Sequence, residues 1–108
     1  MMEPLEIGRI RSLCSDETIT ITNHAGDRLR ERGIKYEDVK MAITNGTIVE
    51  DYPNDYPNPS VLILGYTEQK NPLHIVVGIG GSTLQIITAY YPSFNKWEND
   101  CKTRKGAK

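Results

Sequence analysis

Cysteine is scarce in this 108-residue chain, which has only Cys14 and Cys101. Two cysteines make neither a disulfide framework nor a spaced Cys/His metal set. In a reducing compartment two free thiols are expected, although the sequence does not forbid a bridge. Histidine is equally sparse. His24 and His74 lie fifty positions apart and no HExxH pattern is present, so no metal site and no cofactor is expected. Long apolar runs are missing too: VLIL and HIVVGI stop far short of the ~20 residues that cross a bilayer. The opening MMEPLEIGRI lacks the positive-then-apolar order of a secretion signal. A cytoplasmic protein with no membrane partner is therefore expected. The phosphate-loop pattern is absent, which leaves GIGGS as a turn, and no nucleophile motif surrounds Cys14. Neither sign of charge dominates. The net charge of −1 and pI of about 6.1 argue against a protein whose main work is coating nucleic acid, and no DNA partner is expected of the chain on its own.

What the chain does have is a change of period along its length. PLEIGRIRSLC (4–14) has helical spacing at Ile10, Leu13 and Cys14, with Pro4 suited to a first turn. ETITIT (17–22) alternates and is β-branched, which predicts a short strand. Thr22 or Asn23 then caps a helix over 24–32, and Gly33 stops it. A second helix is predicted over about 36–45, with Tyr36, Val39, Ala42 and Ile43 as its apolar stripe and Lys35 as a poor cap. From TIVED (47–51) onward the pattern is that of strands: VLILGY (61–66), LHIVVGI (73–79) and TLQIITAYY (83–91), the last two joined by a hairpin at Gly80-Gly81. Early helices and late strands predict an α+β fold, with an antiparallel sheet covered by helices on one face. The chain reads as one domain with its core over about 17–98, an N-terminal helical extension over 1–16 and a basic tail over 99–108. Residues 96–108 sum to +3. Trp97, the sole tryptophan, is expected to anchor a short final helix, with RNA stacking as the other reading.

Four stretches hold candidate chemistry. In the opening helix His24, Arg28 and Arg32 recur every four residues; each step advances ~40°, giving one slanting row beside the apolar row of Ala25 and Leu29. Arg30 falls on the opposite face. One reading of the row is an ordinary surface with Asp27 and Glu31 as partners. The other is an anion site, because an arginine fork fits phosphate and histidine exchanges protons near neutrality. His74 shares a strand face with Val76, and is either a half-buried hydrogen-bonded residue or an acid–base group. Thr88 and Tyr90 share a face of the last strand. Finally, the tandem DYPN in DYPNDYPNPS is either a stiff connecting loop or a mount for Tyr52 and Tyr56 as contacts to RNA or a protein.

Together, ITNHAGDRLRERGIKYEDVKMAI, NGTIVEDYPNDYPNPSVLILG, LHIVVGI and IITAYYP…KW resemble the prokaryotic domain-of-unknown-function family forty-two fifty-eight, over about residues 20–104. The motif is carried by His24, Arg28, Glu31-Arg32-Gly33, His74 and Ile87-Thr88-Ala89-Tyr90. The resemblance groups the chain with RelE/BrnT-like plasmid toxins. It implies early helices on one face of a curved, mainly antiparallel four- to five-stranded sheet. It also implies a metal-independent ribonuclease toxin acting on RNA, ribosome-bound or free, encoded beside an antitoxin that is often of zinc-finger type. In such an enzyme His24 and His74 would be acid and base in either order, and Tyr90 would orient a partner or donate a proton. Arg28, Arg32 and Thr88 would hold substrate. The low net charge fits the alternative better: a non-catalytic protein-binding module on the same fold.

Overall fold

The computed structural model describes residues 6–56 and 58–106. Its elements are α1 (Ile7–Ser12), β1 (Ile19–Ile21), α2 (Asn23–Glu31), α3 (Tyr36–Asn45), β2 (Thr47–Tyr52), β3 (Ser60–Tyr66), β4 (Pro72–Gly80) and β5 (Thr83–Tyr90). The fold is α+β, as expected, and among the described residues no helix is long and apolar enough to cross a membrane.

Local chemistry sets the boundaries of α2. Thr22 lies just outside the helix, and its hydroxyl accepts from the Ala25 amide at 3.1 Å. At the far end Gly33 adopts φ 66°. The Gly33 amide donates to the Arg30 carbonyl and the Ile34 amide to that of Leu29, so two otherwise orphaned carbonyls are satisfied. Ile34 and Leu29 both join the core there. Helix α3 starts at Lys35 without a side-chain cap, but Glu37 and Asp38 favour its first turn electrostatically. Its end is pinned to β3: Asn45 donates to the Tyr66 carbonyl and accepts from the Tyr66 amide, both at 2.9 Å.

The five strands run in the order β1-β5-β4-β3-β2. All neighbours are antiparallel except β1 and β5, which pair in parallel with Ile19 opposite Leu84. Two helices separate β1 from the strands that follow, so the chain has the length to re-enter beside it in the same direction. One sheet face carries Val61 and Ile63 of β3, Leu73, Ile75 and Val77 of β4, and Leu84, Ile86 and Ala89 of β5. Leu29, Val39, Ala42 and Ile43 of the helices close onto it, and Ile10 of α1 is fully buried in the same core. The core thus extends N-terminal of residue 17. Helix α1 is shorter than the 4–14 segment expected, and Pro4 lies outside the described residues.

The expected final helix at Trp97 does not form. Residues 93–106 instead make turns closed by an isolated bridge between Trp97 and Arg104. Asp100 is the physical reason: its carboxylate accepts from the Lys102 and Thr103 amides and the Thr103 hydroxyl, which competes with helical hydrogen bonding. Cys101 follows at φ 59°. The segment lies across the sheet face opposite the helices and buries Trp97 and Cys101 there. Both cysteines are free thiols.

Candidate functional site

The face away from the helices is organised in transverse rows set by strand register. One row is Thr20–Gln85–Gly78–Ser60–Tyr52, the next Thr88–Val76–Leu62–Glu50, and the third Tyr90–His74–Leu64–Thr47. Thr20, Gln85 and Gly78 of the first row floor a groove of about 440 Å³. Thr22 and His24, at the start of α2, form one wall together with Ile87. The other wall is Asp55, Tyr56 and Asn58, from the loop between β2 and β3. That loop is held over the face because the Ser60 hydroxyl donates to Asp55 at 2.5 Å.

His24 is exposed and opens onto this groove. Arg28 and Arg32 continue the row along the helix, about 6 and 12 Å further on by the helical rise. Arg28 donates to Glu31 at 2.9 Å. Arg32 crosses to the sheet, where its guanidinium donates to the Thr88 hydroxyl at 3.2 Å and to the Ala89 carbonyl at 2.8 Å. Two residues of the expected site, Arg32 and Thr88, are therefore in direct contact. Arg30 points away from the row and pairs with Asp27.

The two histidines do not meet. Along β4, His74 is four residues from Gly78, about 13 Å at strand rise, and it does not line the groove. It is fully buried. Its Nε2 donates to the Cys101 carbonyl at 2.7 Å, which leaves Nδ1 as a buried acceptor with no partner among the described residues. The ring is packed edge-on between Tyr90, at 5.3 Å, and Trp97, at 4.5 Å. The group around it escaped sequence reasoning. Arg104 forms a two-pronged pair with Glu50, at 2.7 and 3.0 Å, and lies 4.6 Å from the Trp97 ring. Tyr52 donates to the same carboxylate at 2.5 Å. The Arg104 bonds hold the Glu50 carboxyl below its usual range. Burial, then the bond to Glu50, pushes the Tyr52 hydroxyl up to about 12. Burial also raises Tyr90, so its phenol stays protonated and can donate but not accept a proton as a base. The +3 tail was visible in the sequence, but its partner on β2 was not.

Burial lowers the His74 pKa, and it outweighs the opposing pull of the Cys101 carbonyl. Below about pH 6.5 the unfolded chain therefore binds a proton that the folded chain refuses. Stability should be level above that pH and fall below it, by up to ~1.4 kcal/mol per unit, until the folded imidazole is itself protonated. Glu50, whose folded carboxyl is depressed, contributes only at lower pH. Denaturant unfolding between pH 7.5 and 5 measures the slope. His74→Gln should flatten it, and an unchanged slope would place the titration on another group.

Among the described residues no three His, Cys, Asp or Glu side chains are grouped to hold a metal ion. The groove can instead offer an imidazole and a carboxylate, His24 and Asp55, with guanidinium groups in line beyond the imidazole. A family model described as a domain of unknown function (DUF4258) matches residues 21–91, which takes in His24, Arg28, Arg32, Asp55 and Gln85. Comparison with curated proteins and with solved structures found no match.

Proposed function

The chain belongs to the DUF4258 family, and from that premise we propose that it is a metal-independent RNA endonuclease of the RelE-like toxin type. The observation that carries this reading is the placement of His24 in a groove on the sheet face away from the helices, with Arg28 and Arg32 in line behind it along α2. In the proposed reaction the ribose 2′-oxygen attacks its own phosphorus. The new O2′–P bond forms as the P–O5′ bond breaks, leaving a 2′,3′-cyclic phosphate and a free 5′-hydroxyl. A carboxylate is the natural acceptor of the 2′-hydroxyl proton, and an imidazolium the natural donor to the departing oxygen. Asp55 and His24 take these roles. Arg28, one turn from His24, offsets charge on the phosphorane, Arg32 holds a phosphate further along the strand, and Thr88 fixes the Arg32 fork. His74 holds the sheet face together. The protein works in the cytoplasm beside an antitoxin that masks the groove, and a zinc-finger protein is the expected type.

The burial of His74 favours a second reading, a module of the same fold that binds without cutting. One measurement separates the two. Purified protein is incubated in chelator with single-stranded RNA and with its 2′-deoxy counterpart. The expected result is RNA shortened to cyclic-phosphate ends and intact deoxy strand, since the latter lacks the nucleophile. RNA that stays intact, bound or not, would establish the second reading.

A further inference from the structure

The two copies of DYPN have opposite fates. Tyr52 lies on β2 with its hydroxyl bonded to Glu50. Tyr56 stands at the rim of the groove, 94% exposed. A tyrosine held that far into water loses apolar contact without a compensating bond, unless something lies against it. Two side-chain amides of the same groove converge. Both lie against Gly80: a methyl group there would sit 2.6 Å from Gln85 Nε2 and 3.1 Å from Asn58 Nδ2. Gln85 and Asn58 are half-buried, and neither amide is hydrogen-bonded to another described residue. Half-buried amides need partners, from water or from a ligand. The lining of the groove is partly apolar, with Gly78 in its floor and Ile87, which is 41% exposed, in its wall.

We infer that the groove is a pocket for one unpaired nucleobase, with Asn58 and Gln85 bonding its edge and Tyr56 stacked on its face. The inference rests on the reading that the groove receives RNA. A planar amide offers a donor beside an acceptor, which is the pattern that base edges present. A base in a duplex hides part of its edge and both faces, so the strand taken is single. With a base seated between Tyr56 and the sheet, its ribose and phosphates would lead past His24 toward Arg28 and Arg32. Arginines alone would grip any RNA equally, whereas the amides supply a reason to prefer one nucleotide.

The test uses 2′-O-methyl hexanucleotides of A, of U and of C, which cannot be cleaved, and an abasic strand of equal charge. Binding is followed by fluorescence anisotropy. The wild-type protein should bind at least one base-bearing strand about tenfold or more tighter than the abasic strand. Tyr56→Ala, at an exposed position that folding tolerates, should weaken the tightest base-bearing strand by roughly tenfold, toward the abasic level, and leave the abasic strand unchanged. Asn58→Leu and Gln85→Leu should bring the three homopolymers to within about twofold of one another. Equal binding of abasic and base-bearing strands would overturn the pocket, as would base preferences that survive both leucine changes. Bases that are read while RNA stays uncut would instead remove the endonuclease reading and leave the pocket standing.

Discussion

Gly65→Ala is expected to destabilise the protein by about 3 kcal/mol, the upper end of what overpacking costs. Gly65 sits on β3 opposite Leu73, facing the helices. An added methyl group there would lie 2.5 Å from the Ala42 carbonyl carbon and 2.6 Å from the Ala42 Cα. These are backbone atoms of α3, so no rotamer change relieves the overlap; the helix must lift. Asn45 resists that movement, because it ties the end of α3 to both backbone polar atoms of Tyr66. Lifting α3 would also open the contacts of Val39, Ala42 and Ile43 with the sheet. Thermal unfolding should shift down by more than ~10 °C for a domain of this size. Gly8→Ala, within α1 and with nothing within 4 Å of the added methyl group, is the control and should hold or raise the midpoint, because a helix favours alanine over glycine. A midpoint for Gly65→Ala within ~2 °C of wild type would mean that α3 lies farther from β3 than described.

His24→Ala should slow RNA cleavage by about 10²–10⁴-fold, the usual worth of a positioned proton-transfer group. Its fold should be nearly untouched. His24 is exposed, and the capping bond at the start of α2 comes from Thr22 and not from His24. Substitutions at such positions stay within ~0.5 kcal/mol. His74→Ala is expected to show the reverse balance. It leaves a cavity between Tyr90 and Trp97 and removes the donor from the Cys101 carbonyl, so stability falls. Unfolding and cleavage measured together on both variants distinguish the roles. If His74→Ala stays folded at the assay temperature yet is as inactive as His24→Ala, then His74 takes part in the chemistry and its burial must be relieved when substrate binds.

The slanting row of His24, Arg28 and Arg32 was legible because helical spacing fixes which side chains share a side. Strand alternation likewise placed His74 opposite Leu73, Ile75 and Val77. Gly33 marked the end of α2, and its cap was narrowed to Thr22 or Asn23, of which Thr22 makes the bond. What sequence could not provide was register between distant segments. Gln85 becomes a groove residue only because it pairs beside Gly78, and Asn58 only because Ser60 draws Asp55 over the sheet. The cover on His74 was hidden for a related reason. Trp97 suggested a helix, but the side chain of Asp100 captures the amides that a helix would need. Arg104 looked like part of a loose basic tail until the fold brought Glu50 to it.

The parallel pairing of β1 with β5 has a consequence in time. Ile19–Ile21 can find Leu84–Ile86 only after everything between them has been synthesised and threaded into place. Helix α2 packs on that same last strand. The helix that bears His24 can thus form early as a local turn but cannot be seated until β5 arrives, and loop closure over so long a span is slow. A nascent chain released before β5 would display the whole row of His24, Arg28 and Arg32 and no groove. If the protein is harmful to its host, it becomes so only when synthesis of its sheet is finished.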